Sequence, residues 1–329
     1  LGESQASDKL ILGGAEFPRR YVGANLTEDE HFLVISASVS TTGNELYIQD
    51  LTDPNSPIKP IVDNVDKEHY VIDNDGETLF IFTNLDAPNN RIVKTSFADP
   101  TPATWADVIP ETKNVLSAST AGKKIFAEYL VDAKSEIKQY NRKGELERDV
   151  ELPGIGSIYG FGGEESDTDI YYTFTSFTYP SSIFSYNIAS GKSSLYQQPK
   201  VDFNPEDYTT EQVFYSSKDG TKIPMFITYK KGVEKNGKNP TYLYSYGGVN
   251  ISMTPGFSVS RIVWLENGGI YAQPSIRGGG EYGEEWHLAG TKMKKQNVFD
   301  DFIGAGEYLI KEGYTSSDYL AIAGGSNGG

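Results

Sequence analysis

A repeat of roughly 45 residues built from short strands, followed by a strand that runs into Gly324-Gly325-Ser326-Asn327-Gly328, predicts two joined folds. The first is a partial β-propeller of about four blades. The second is the N-terminal half of an α/β-hydrolase domain. The pattern changes near residue 203, so the expected domains are 1–203, the later propeller blades, and 204–329, ending just past a candidate nucleophile.

Leu46, Ile92, Ile137 and Ile183 mark the repeat, at separations of 46, 45 and 46 residues. They sit in Glu45-Leu46-Tyr47-Ile48, Arg91-Ile92-Val93-Lys94, Glu136-Ile137-Lys138-Gln139 and Ser182-Ile183-Phe184-Ser185. A companion strand precedes each, around Val34, Leu79, Ile125 and Tyr171. A further short strand follows a polar turn, as at Ile61-Val62, Val108-Ile109, Val150-Glu151-Leu152 and Ser194-Leu195-Tyr196. One four-stranded blade cannot cover both of its apolar faces, so blades stack on one another. Four are few for a closed ring, so earlier blades are expected before Leu1. His31 and His69 stand apart from each other and from any cysteine, and are expected to be surface or structural residues, not metal ligands.

Beyond Tyr196 comes the polar linker Lys200-Val201-Asp202-Phe203-Asn204-Pro205. Two strands then flank an Asp219-Gly220 hairpin turn: Glu211-Gln212-Val213-Phe214-Tyr215-Ser216 and Ile223-Pro224-Met225-Phe226-Ile227-Thr228-Tyr229. A basic, glycine-bearing loop over 230–239 leads to the strand Thr241-Tyr242-Leu243-Tyr244-Ser245, and Gly269-Ile270-Tyr271-Ala272 forms another. Val298, Phe302, Ala305 and Leu309 follow helical spacing over 297–311, with Gly313 placed to end that helix. Tyr319-Leu320-Ala321-Ile322 reads as a buried strand entering the Gly-x-Ser-x-Gly turn. This order of elements is the opening half of an α/β sheet.

Gly-x-Ser-x-Gly after a strand is the nucleophile elbow, which lifts one serine hydroxyl above the sheet. Side chains at positions 324 and 328 would collide with the neighbouring strand or helix. Acyl transfer from Ser326 needs hydrogen-bond donors aimed at the developing oxyanion. One is the backbone N–H of Asn327, and the other comes in this fold from the loop after the third strand. Tyr246-Gly247-Gly248 occupies that place, where the Tyr246 hydroxyl would donate and the glycines would admit substrate. A buried strand-end tyrosine beside a turn is the plainer alternative. The Asp and His of an elbow-type triad follow the serine in the chain, and neither lies within these residues, so the 329-residue polypeptide alone is expected to be inactive.

Gly278, Gly280 and Gly283 spell G-x-G-x-x-G, and Asp300 stands near the usual place of a dinucleotide site's acidic residue. The match is read as accidental. Pro274 interrupts the approach, and Gly283 is not expected to lead directly into a helix. His287 precedes the serine, against the order expected of the base. Asp300 and Asp301 are expected to cap or solvate the start of the helix that contains them.

A formal charge of −16 argues against a nucleic-acid or anionic-membrane partner, since polyanions need a basic patch. With no cysteine, disulfides and thiolate metal sites are excluded, and cytoplasm and periplasm suit the chain equally. No run of 18 apolar residues is present, which argues against a transmembrane helix. The start lacks Met, a basic segment and an apolar segment, and is read, like the end, as a cut.

Four segments carry a resemblance. They are Asp219-Gly220-Thr221-Lys222-Ile223-Pro224-Met225, Tyr246-Gly247-Gly248-Val249-Asn250-Ile251-Ser252, Arg277-Gly278-Gly279-Gly280-Glu281-Tyr282-Gly283 and Gly324-Gly325-Ser326-Asn327-Gly328-Gly329. Together they are similar to the prolyl oligopeptidase family of serine peptidases, over nearly the whole chain from about Leu10. Tyr-Gly-Gly-x-Asn and Ser-Asn resemble the proline-specific branch, not the arginine/lysine-specific one. The resemblance implies a propeller of about seven blades capping a hydrolase domain, with short proline-containing peptides cut after proline between them. It implies Ser326 as nucleophile, Asn327 as backbone oxyanion donor and Tyr246 as side-chain oxyanion donor.

Val249 stands where proline-specific members usually place a Phe that lines the proline pocket, which implies a looser fit there. The expected protein is a soluble monomer, cytoplasmic or periplasmic, with no metal or organic cofactor and no nucleic-acid or membrane partner. Two alternatives stand beside it: a related oligopeptidase or aminopeptidase of other specificity, and a catalytically silent binding protein that uses its propeller.

Overall fold

The structure is a computed structural model that describes residues 2, 4–15 and 17–329; Leu1, Glu3 and Glu16 lie outside the described residues. The chain divides into two compact units, 1–111 and 112–329.

The first unit holds two four-stranded antiparallel sheets, each a meander. One contains β1 (Tyr21–Leu26), β2 (Phe32–Ser38), β3 (Glu45–Asp50) and β4 (Lys59–Val62). The other contains β5 (His69–Asp75), β6 (Thr78–Thr83), β7 (Arg91–Ser96) and β8 (Ala106–Ile109). Alternation along β3 and β6 turns Leu46, Ile48, Leu79 and Ile81 into one core with Phe32 and Val93. Asn44 ties the two sheets, giving 2.9 Å bonds to the His69 carbonyl and from the His69 N–H. His69 is buried with Nδ1 2.8 Å from the Thr83 hydroxyl, and His31 lies 3.4 Å from Asp50 while stacked on Phe32. Each histidine side chain thus has its partners within its own sheet.

The second unit opens with two more such sheets. They are β9 (Val115–Ala121) to β12 (Leu146–Val150), through β10 (Lys124–Val131) and β11 (Lys134–Asn141), and β13 (Ser157–Tyr159) to β16 (Lys192–Gln197), through β14 (Asp169–Thr175) and β15 (Ser182–Asn187). Their facing sides share an aromatic core of Phe126, Phe161, Tyr172, Phe184 and Tyr186. The rings meet stacked or edge-on, as Phe161 and Tyr172 do at 4.6 Å. The residues that marked the repeat all fall in the third strand of a sheet, and their companions in the second. The first strands lacked a sequence signal: β1 is exposed throughout and β13 is three residues long.

A five-stranded mixed sheet follows, made of β17 (Tyr208–Ser216), β18 (Lys222–Lys230), β19 (Thr241–Tyr244), β20 (Ile270–Pro274) and β21 (Leu320–Ala323), in the order β17-β18-β20-β19-β21. The first two pairings are antiparallel; β20, β19 and β21 run parallel. Three helices connect them: α1 (Val259–Glu266), α2 (Glu284–Leu288) and α3 (Gln296–Lys311). Helix α3 buries Val298, Ala305 and Leu309 against Ile223, Met225 and Leu243, and Gly313 ends it at φ +76°. Among the described residues no helix is long and apolar enough to cross a membrane.

Within these residues β21 pairs with β19 alone, and Ala321 and Ile322 are exposed. Two expectations need correction. Gly283 does lead directly into a helix, α2, because at φ +80° it turns the chain into an acidic first turn of Glu284 and Glu285. Asp301 neither caps nor solvates α3: it is fully buried, facing Arg277.

Candidate active site

The site grows from two parallel neighbours. β19 and β21 pair in register from Thr241↔Leu320 to Tyr244↔Ala323, so both chains leave the sheet at the same level. One continues as Ser245-Tyr246-Gly247-Gly248, the other as Gly324-Gly325-Ser326-Asn327. Ligands and reacting groups collect at the carboxyl ends of such strands.

Ser326 is exposed and opens the short turn Ser326–Gly328 with φ +53°. For a residue with a side chain this left-handed conformation costs about 1–2 kcal/mol, and such strain gathers at functional sites. The elbow closes on itself: a Cβ on Gly324 would overlap the Gly328 carbonyl. One on Gly328 would come within 2.6 Å of the Ser245 carbonyl. The elbow therefore touches the β19 extension backbone to backbone, as its glycines led one to expect.

Asn327 crosses the gap. Its side-chain Nδ2 donates to the Tyr246 carbonyl at 2.8 Å and to the Gly247 carbonyl at 3.0 Å. Any Cβ on Gly248 would occupy the place of that amide. Gly247 has φ +60°, and a Cβ there would meet Val298 and Ile276 at 2.6 and 2.7 Å. These constraints explain the glycine pair. The Tyr246 side chain is half-buried, and no described residue hydrogen-bonds its hydroxyl, which leaves that group able to donate elsewhere.

The next residues, Val249 and Asn250, are exposed and both left-handed, at φ +55° and +57°. The glycine-rich loop 277–283 supports them. Asn250 N–H reaches the Gly278 carbonyl at 3.2 Å, and Met253 N–H reaches Glu281 Oε1 at 2.7 Å. Gly280 has no room for a Cβ because Asn250 O would lie 2.6 Å away. The glycines of this loop thus make space for the 247–253 backbone. Burial pushes the Glu281 carboxyl up to about 7, and its Oε2 has no partner among the described residues. His287 Nδ1 lies 2.8 Å from the Gly278 carbonyl and 3.1 Å from the Asn250 N–H, donating to the first or accepting from the second according to its tautomer.

Below the loop, Arg277 donates to Asp301, Asp219 and Ser217. Its guanidinium holds the Asp219 carboxyl down at about 2. Ser326, Asn327 and Tyr246 are thus gathered at one end of the sheet, and Val249 sits on the exposed turn beyond them. Sequence reasoning missed the Asn327 side chain, Glu281 and the Arg277–Asp301 pair. An acidic residue inside Gly278-Gly279-Gly280-Glu281 was the one available signal. Among the described residues no group of three or more His, Asp or Glu could hold a metal ion.

Residues 1–199 match the model of the prolyl oligopeptidase N-terminal β-propeller domain, and residues 255–329 match that of the prolyl oligopeptidase family. The chain is 57% identical over 329 residues to a prolyl endopeptidase of Elizabethkingia meningoseptica, covering all of this chain and 46% of that protein. It is 38% identical to one of Dictyostelium discoideum, again over 46% of the relative. A structure from a study of two prolyl endopeptidases superposes with TM-score 0.91 at 39% identity, covering all of this chain and 48% of that one. Prolyl oligopeptidase B from Galerina marginata, bound to a 25mer macrocyclization substrate, gives TM-score 0.91 at 32% identity over 47% of its chain. The chain spans about half the length of the curated relatives it matches.

Proposed function

The chain belongs to the prolyl oligopeptidase family, and we propose that the protein carrying it is a serine peptidase that cuts short peptides on the carboxyl side of proline through an acyl-enzyme on Ser326. The observation that carries this reading is the strained, exposed Ser326 at the end of β21, side by side with Tyr246-Gly247-Gly248 at the end of β19. We assign 1–203 to the propeller and 204–329 to the hydrolase domain, because four-stranded meanders give way to the mixed sheet between β16 and β17.

In the reaction, Ser326 Oγ attacks the carbonyl carbon of the scissile bond while a histidine takes its proton. In elbow-type triads the histidine follows the serine in the chain, so His31, His69 and His287, which all precede Ser326, are not read as that base. The carbonyl oxygen becomes an oxyanion held by the Asn327 N–H and the Tyr246 hydroxyl. The leaving amine receives the proton from the histidine, and water then releases the acyl group from Ser326. Val249, on the exposed turn after Gly248, is smaller than a phenyl ring and is read as leaving more room for the proline. A soluble monomer of cytoplasm or periplasm, free of cofactors, completes the reading; its acidity and lack of cysteine fit either compartment.

The test uses the full-length protein on chromogenic peptides ending in Pro, Arg or Ala, beside Ser326→Ala. Cleavage after Pro that is lost in the variant is the expected result. A preference for Arg or Ala moves the specificity to another branch of the family, and no cleavage of any peptide favours a silent, propeller-bearing binding protein.

A further inference from the structure

Lys295 immediately precedes α3, 31 residues before the candidate nucleophile, yet its ammonium reaches the heart of the site. Its Nζ donates to the Gly247 carbonyl at 3.0 Å and to Asn327 Oδ1 at 3.2 Å. The Asn327 amide meanwhile donates from Nδ2 to the Tyr246 and Gly247 carbonyls. The Lys295 ammonium, the Gly247 carbonyl and the Asn327 amide close a ring: the ammonium and the amide nitrogen both donate to the carbonyl, and the amide oxygen accepts from the ammonium. A cation at a helix N-terminus opposes the helix dipole, so this lysine gains nothing from its own helix. What it gains is the two oxygens across the gap. Burial lowers its affinity for a proton, in keeping with an ammonium drawn out of water toward fixed partners.

We infer that Lys295 and the side chain of Asn327 are positioning residues that strap the Tyr246-Gly247 backbone to the Ser326 elbow and so set the spacing of the two oxyanion donors. This rests on the reading of Ser326, Asn327 and Tyr246 given above. The physical need is clear. The Asn327 N–H rides on β21 and the Tyr246 hydroxyl on β19. The pairing of these strands ends at Tyr244↔Ala323, before either donor. Beyond that point the two backbones have glycines at 247, 248, 324, 325 and 328, which offer little intrinsic stiffness. Side-chain bonds must supply the rigidity that the sheet no longer provides, and a misplacement of about 1 Å costs on the order of a hundredfold in rate. The neutral amide gives both a donor and an acceptor, which a carboxylate in its place could not do.

The experiment uses the full-length protein and the variants Lys295→Met, Lys295→Arg, Asn327→Asp and Ser326→Ala. The probes are a proline-ending chromogenic peptide, a peptidyl-prolinal aldehyde whose hemiacetal oxygen takes the oxyanion position, and the product peptide, which forms no such oxygen. Expected are a fall in kcat of about 10- to 100-fold in Lys295→Met and Asn327→Asp with KM within about twofold, and an equal loss of aldehyde affinity. Product affinity and melting temperature should stay near wild type, and Lys295→Arg should recover most of kcat. Wild-type kcat in Lys295→Met while Ser326→Ala is inactive overturns the strap and leaves the nucleophile standing. Equal losses of aldehyde and product affinity also overturn it, by showing general disruption of the site. Full activity in Ser326→Ala removes the reading beneath it. Should Asn327→Asp fail to fold, Lys295→Met and its arginine rescue decide the matter alone, since a methionine preserves most of the stem.

Discussion

Arg277 and Asp301, 24 residues apart, form an ion pair at 2.6 Å in which the carboxylate has no contact with water and the guanidinium almost none. Arg277 also takes Asp301 Oδ2 through its own backbone N–H at 3.0 Å, so one carboxylate fixes both the side chain and the main chain where the glycine-rich loop begins. The Tyr215 and Ser217 hydroxyls donate to the Asp301 carbonyl and carboxylate, each at 2.6 Å. The pair thereby joins α3, the β17–β18 turn and the loop that supports residues 247–253.

Removing one partner of this pair strands the other charge in a buried place. Asp301→Ala should cost about 3–5 kcal/mol of stability in urea unfolding. Arg277→Met should cost a comparable amount. A loss below 1 kcal/mol for both would show that water enters the site freely.

Two buried groups give pH dependences of opposite sign. His69 titrates at about 4 in the fold because burial disfavours its cation. The unfolded chain therefore binds more protons between about 6.5 and 4, and the first unit should lose stability as pH falls through that window. The full effect is on the order of 3 kcal/mol, and His69→Gln should flatten it. Glu281 titrates at about 7. There the folded state holds the extra proton between about 4.5 and 7, so stability falls as pH rises, and Glu281→Gln should remove that fall. Melting curves from pH 4 to 8 for both variants check the two signs.

Val249 is β-branched, exposed and left-handed. Asparagine tolerates that backbone conformation far better. Val249→Asn should raise stability by about 1 kcal/mol, measured by urea unfolding. A loss of that size would show that the Val249 side chain packs in the whole protein.

If the Tyr246 hydroxyl holds the oxyanion, Tyr246→Phe should lower kcat by about 10²- to 10³-fold with little change in KM. Steady-state kinetics on a proline-ending peptide decides. A rise in KM at unchanged kcat would make Tyr246 a ground-state binding residue.

Much of this architecture was legible in one dimension. The alternation around Leu46, Ile92, Ile137 and Ile183 recurs because every blade solves the same burial problem, so periodicity revealed the second and third strands. Gly324, Gly328, Gly247 and Gly248 announced close backbone approaches, since few other reasons place such glycines after strands. Ser326 and Tyr246 could be named because each follows a strand whose place in the sheet order was inferable.

Local pattern is a matter of neighbours along the chain, and here it was enough to establish blades, a mixed sheet and a serine at its end. The partners of charged and polar side chains are a matter of neighbours across space. Nothing near Asp301 in the sequence distinguishes a solvated helix start from a carboxylate facing Arg277. Nothing near Lys295 foretells its reach to Gly247 and Asn327. Those outcomes were settled only when the chain closed on itself, because desolvation and long-range pairing depend on which surfaces meet.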